Sequence, residues 1–99
     1  KALLGMGRDL RPTTAEGLVN AAMDDFAFGK YEAAFKKFEE IRDRYPFSEF
    51  SLLAELKMAD CKYYLKDYEE AVALYEAFED DHPTNEAIPY VMFQIGMAH

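Results

Sequence analysis

The side chains of this 99-residue chain best suited to chemistry are two histidines, one cysteine and 19 carboxylates. A histidine beside a carboxylate could do general acid–base work, and clustered carboxylates could hold a divalent cation through oxygen. Their placement supports neither. His82 precedes a helix-stopping proline and reads as a turn residue, while His99 is the last residue. The acidic pairs Asp24-Asp25, Glu39-Glu40, Glu69-Glu70 and Asp80-Asp81 fall in helical patterns. Adjacent helical residues point about 100° apart, so such pairs do not converge on one ion, and no His or Cys completes a ligand set. They read as solvated faces, with Asp24 or Asp60 able to reach an inner surface. Cys61 sits within an apolar helical pattern and reads as a small core residue. As the single cysteine it allows neither an intrachain disulfide nor a cysteine metal site. There is no glycine-rich phosphate loop and no nucleophile-elbow serine. The expectation is a protein that is not an enzyme, with no cofactor and no metal.

The elements that would position these residues are helices. Thr13-Thr14-Ala15-Glu16 reads as a capping box, followed by a helix to about Phe28 that Gly29 ends. Its apolar positions are Leu18, Val19, Ala22, Met23 and Phe26. A second helix spans Tyr31 to Arg44, with Tyr31, Ala34, Phe35, Phe38 and Ile41 on one stripe, and Pro46 stops it. Ser48 is expected to cap a third helix reaching about Leu65, with Leu52, Leu53, Leu56, Ala59, Tyr63 and Tyr64 as its stripe. Asp67-x-x-Glu70 is a second capping box and opens a fourth helix on Tyr68, Ala71, Val72, Tyr75 and Phe78, ended by Pro83. A fifth begins between Asn85 and Pro89, a proline suited to a first helical position.

Composition sets the outer limits. A chain of this length makes one domain, and 51% hydrophobic residues supply a core. Eleven basic against 19 acidic side chains give a net charge of −8. That charge disfavours nucleic acid, whose binding rests on Lys and Arg neutralising phosphates, and disfavours an anionic membrane surface. No stretch approaches the roughly 20 apolar residues of a membrane span, and no signal peptide is visible. The chain stops at His99 within an apolar pattern, so it reads as a piece of something longer.

The helices repeat. At an offset of 37 residues, Tyr31 lines up with Tyr68, Ala34 with Ala71, Phe38 with Tyr75, Ile41 with Phe78 and Pro46 with Pro83. A fixed period in this range, helical in pattern, marks a solenoid whose units bury their apolar faces only by stacking. The unit resembles the tetratricopeptide repeat (TPR). Ala22, Ala59 and Gly96 stand at its first-helix small position, Ala34 and Ala71 at its second-helix alanine, Phe38 and Tyr75 at its aromatic, and Pro46 and Pro83 at its closing proline. The departures are a unit longer than the family's roughly 34 residues and the absence of tryptophan. The resemblance implies an all-α TPR solenoid over residues 14–99 after a lead-in over 1–13. Repeat 1 covers about 14–46, repeat 2 about 48–83, and the first helix of a third about 85–99.

Within these landmarks, Arg44-Tyr45-Pro46-Phe47-Ser48, His82-Pro83-Thr84-Asn85 and Ile88-Pro89-Tyr90-Val91 resemble the BamD (ComL) family of outer-membrane assembly lipoproteins. Its lipid-bearing cysteine would lie upstream, so Cys61 is not the equivalent. The other resemblance is to the periplasmic TPR proteins of the Tol-Pal system (CpoB), which would bind folded partners; Ile-Pro-Tyr-Val favours the first. The BamD resemblance implies a non-catalytic module at the periplasmic face of the outer membrane, lipid-anchored from outside this segment. It would recruit unfolded outer-membrane β-barrel proteins and dock on BamA and other assembly-machine subunits. Carrying over the family's groove positions gives Val19, Met23 and Phe26 in the first unit, Leu56, Asp60 and Tyr63 in the second, and Tyr90, Phe93 and Met97 in the third. These positions lack the Lys/Asn cluster with which some TPR domains hold a terminal carboxylate. An open apolar face on the last helix is expected to drive self-association, because terminal repeats normally need a polar cap.

Overall fold

Helix signals in the sequence become five helices in a computed structural model that describes residues 14–99. They are α1 (Ala15–Ala27), α2 (Tyr31–Arg44), α3 (Ser51–Tyr64), α4 (Tyr68–Asp81) and α5 (Ile88–Ala98), and no strand occurs among the described residues. The expected lead-in over 1–13 lies outside them. Each helix packs on the one before it, giving an elongated body of 53 × 27 × 17 Å. This is the expected all-α solenoid.

The helix ends follow the 37-residue period closely. The N-cap of α1 is Thr14, whose hydroxyl accepts from the Gly17 amide at 3.0 Å. The box expected from Thr13 to Glu16 is therefore displaced by one residue, and glycine at the third position has no side chain to reach back. Asp67 caps α4 by accepting from the Glu70 amide at 3.4 Å, while the Glu70 carboxylate lies 3.7 Å from Lys62 Nζ. Ser48 does not cap α3. Its hydroxyl accepts from the Phe50 amide at 3.0 Å in a turn that ends where α3 begins at Ser51. Asn85 does the same 37 residues on, accepting from the Ala87 amide at 2.8 Å just before α5. Pro89 falls in the first turn of α5, where a missing N–H leaves no ladder bond unmade.

Both turns inside the units are built alike. Lys30 N–H bonds Asp25 C=O at 2.8 Å and Asp67 N–H bonds Lys62 C=O at 2.9 Å, the six-to-one closure of a Schellman motif. The residue one earlier is left-handed in each, Gly29 at φ 77° and Lys66 at φ 66°. A side chain at that φ costs about 1 kcal/mol, so Lys66→Gly is expected to stabilise the chain by about 0.5–1 kcal/mol in urea unfolding. An unchanged midpoint would mean that Lys66 recovers the strain through its own contacts.

The core divides between two clusters that share α3. One joins Leu18, Val19 and Ala22 of α1, Ala34, Phe38 and Ile41 of α2, and Ala54, Met58 and Cys61 of α3. The other joins Ala59 of α3 with Ala71, Tyr75 and Phe78 of α4 and Val91 of α5. Sandwiched between α2 and α4, α3 buries two sides, which corrects the single stripe expected for it. Leu53 and Tyr64 are exposed, whereas Ser51, Ala54, Met58 and Cys61 are buried. Cys61 lies in the core as expected, and burial pushes its thiol up to about 12.

Candidate peptide-binding face

The first helix of each unit contributes to one face, and side-chain contacts tie these helices together. Lys57 Nζ of α3 stands 3.8 Å from the centroid of the Phe26 ring of α1, a cation–π contact. Tyr64 of α3 meets Phe26 edge-on at 5.8 Å and stacks on Tyr31 of α2 at 5.3 Å. Between α3 and α5, the Tyr90 hydroxyl donates to Asp60 Oδ1 at 2.8 Å.

Asp60 is the polar centre of this face and is itself only 3% exposed. The same Oδ1 accepts from the hydroxyl of the fully buried Tyr75 on α4. Gln94 Nε2 of α5 donates to that hydroxyl at 3.3 Å, and Lys57 Nζ lies 3.5 Å from Asp60 Oδ2. Three helices therefore meet on one carboxylate whose polar neighbours are themselves paired, the condition under which a buried charge is tolerated. Burial, followed by the hydrogen bond to the Asp60 carboxylate, raises both phenols well above the ordinary tyrosine range.

The nine expected groove residues separate by depth. Met23, Tyr90, Phe93 and Met97 are exposed, at 38, 40, 62 and 58%. Phe26, Leu56 and Tyr63 are half-buried against the two clusters. Val19 and Asp60 are buried and lie beneath the surface rather than on it. Two residues absent from that set belong to the face, Lys57 and the 47%-exposed Tyr64. Lys57 was not expected there because a lone lysine in a helical pattern reads as solvated, and Tyr64 because an aromatic residue on an apolar stripe reads as core.

Phe93 and Gly96 form a distinct part of the surface. They stand 37 residues after Leu56 and Ala59 and 74 after Val19 and Ala22. Val19, Ala22 and Ala59 are buried, and Leu56 is half-buried in the core. At the third occurrence nothing lies within 4 Å of a Cβ built on Gly96, and Phe93 and its neighbour Met92 are exposed.

Other expected site features are placed as follows. His82 caps the C-terminus of α4 as a turn residue, and its Nε2 also lies 3.0 Å from Glu55 Oε1 of α3. Of the acidic pairs, Asp25 bonds Lys37 Nζ at 2.6 Å across α1 and α2, and Asp24, Glu69, Glu70, Asp80 and Asp81 are solvent-exposed. Among the described residues no three His, Cys, Asp or Glu side chains are grouped to hold a metal ion, and no helix is long and apolar enough to cross a membrane.

Stacked helix pairs with aromatic residues exposed along the first helices define a protein of the TPR-like helical-repeat class. More particularly, the chain belongs to the YfiO family of outer-membrane lipoproteins, whose family model matches residues 12–99. It is similar to the outer membrane protein assembly factor BamD of Pasteurella multocida (strain Pm70), at 24% identity over 92 residues covering 93% of this chain. The chain spans 35% of that relative's length. The resemblance drawn from the loop motifs holds, and the match favours it over the Tol-Pal resemblance. Membership locates the chain at the periplasmic face of the outer membrane, in a family of assembly factors rather than enzymes.

Proposed function

We propose that this segment recognises unfolded outer-membrane β-barrel proteins and contributes to their assembly and insertion into the membrane. The observation that carries the reading is the exposure of aromatic and thioether side chains, Met23, Tyr64, Tyr90 and Met97, on helices tied to one another by side-chain contacts. Aromatic side chains in partly desolvated positions carry much of the energy at protein interfaces, and methionines repack around varied partners. An extended segment with alternating aromatic residues, such as the last strand of a β-barrel, has the chemistry to lie across these helices. In the full-length protein the same reading includes docking on BamA and other subunits of the machinery.

Calorimetric titration with a peptide copying such a strand, beside its scrambled form, tests the reading. Sequence-dependent binding is expected, and Met23→Ala is expected to weaken it about fivefold; Met23 is exposed enough for the helix to fold without it. Equal affinity for both peptides would move recognition elsewhere.

A second copy of the chain competes for part of the surface. Phe93 and the open space over Gly96, beside the exposed Met92, form an apolar place; the counterparts of Phe93 and Gly96 on α1 and α3 lie in the core or packed against it. Dimerisation through α5 is expected at hundreds of micromolar, and Phe93→Ser should weaken it about tenfold. A strictly monomeric sedimentation profile at that concentration would sink this reading.

A further inference from the structure

Asp60, Tyr75 and Tyr90 depart together from the repeat that contains them. The 37-residue offset relates them to Met23, Phe38 and Leu53, none of which carries a hydroxyl or carboxylate. In one unit the set is apolar; in the next it is a carboxylate with two phenol donors, joined by Gln94 and Lys57. Stability alone does not account for such an exchange, because well-packed apolar residues generally serve as well as a buried charge with its partners. Hydrogen bonds are directional, whereas apolar contacts let helices slide. The Tyr90–Asp60 bond is also the side-chain hydrogen bond that spans α3 and α5 directly among the described residues, and the largest packing surface of α5 is on α4.

We propose that Asp60 is a positioning residue that fixes α5 against α3 and α4, so that Tyr90 and Met97 are presented in a set register with the α1 and α3 part of the binding face. The functional consequence rests on the peptide-binding reading above; the positioning itself does not. Tyr90 has two roles, its ring on the face and its hydroxyl on the carboxylate. Lys57 contributes to the same arrangement by lying between Asp60 and the Phe26 ring, which links the α5 joint to α1.

The test uses the 99-residue chain and the combined variant Asp60→Met, Tyr75→Phe, Tyr90→Phe. It removes the carboxylate and both phenol hydroxyls while keeping the rings and approximate volumes, and leaves Gln94 and Lys57 in place. Amide exchange of α5 is expected to speed up about tenfold, with α2 exchange unchanged. Peptide affinity should fall about fivefold. Asp60→Asn alone keeps an oxygen acceptor for both hydroxyls and is expected to retain slow α5 exchange and near-parental affinity. Unchanged α5 exchange in the combined variant would overturn the proposal, as would equal acceleration in α2 and α5, which marks general destabilisation. If the parent chain binds no peptide while α5 exchange still responds selectively, the positioning role stands and the peptide-binding reading falls.

Discussion

Between pH 8 and pH 11 the chain is expected to lose several kcal/mol of stability, with the buried Cys61 thiol as the largest single source. An exposed thiol titrates near its ordinary value of 9.0, whereas in the fold Cys61 holds its proton to about 12. Above pH 9 the unfolded chain therefore binds fewer protons than the folded one, and stability falls as pH rises. The contribution is fully present below pH 9 and is lost progressively up to about pH 12. By pH 11 the thiol alone accounts for about 2–3 kcal/mol. Tyr75, fully buried and likewise held protonated, adds roughly 1 kcal/mol because an exposed phenol titrates near pH 10. Tyr90 acts in the same direction. Against the roughly 5–15 kcal/mol of a small domain, this loss is large. Urea midpoints measured under reducing conditions at pH 8, 9, 10 and 11 would follow it, and Cys61→Ala should flatten most of the fall. An equally steep fall in that variant would show that the thiol is not its source.

Phe38→Ala is expected to cost about 3–5 kcal/mol, a large share of the stability of a chain of this size. Phe38 is fully buried where α1, α2 and α3 meet, and its removal leaves a cavity that three helices cannot collapse together. The more discriminating variant is Phe38→Tyr. At the equivalent place in the next unit, a hydroxyl is satisfied by Asp60 and Gln94. Here the counterpart of Asp60 is Met23, a thioether. Phe38→Tyr should therefore cost about 1–3 kcal/mol as an unsatisfied buried hydroxyl, although tyrosine is the natural residue 37 positions on. Thermal unfolding of the two variants measures both effects. Parental stability in Phe38→Tyr would mean that the first unit already holds an acceptor for the hydroxyl.

Local and periodic information in the amino-acid sequence determined much of this protein. The glycine and proline stops, the cap at Asp67 and the stripes on α2 and α4 act within one or two helical turns. The 37-residue period then requires that neighbouring units stack, because neither buries its apolar face alone. The loop motifs that end each unit carried the family, since the loop conformation they specify recurs at Tyr45–Ser48 and His82–Asn85. Other features depended on residues distant in the chain. The stripe of α3 could not be read correctly because a helix covered on two sides has two buried faces, and its pattern loses the one-sided period. Asp60 falls on a groove position by its family alignment, and one carboxylate in a helix gives no sign of the partners that bury it. The hydroxyls that make its burial tolerable come from 15 and 30 residues away. Lys57 and Tyr64 join the proposed binding face for the same reason: stacking brings Phe26 and Tyr31 beside them. Sequence periodicity specifies which helices must pack, but the burial of a charged or aromatic side chain depends on which partner groups the packing brings within hydrogen-bonding or ring-contact distance.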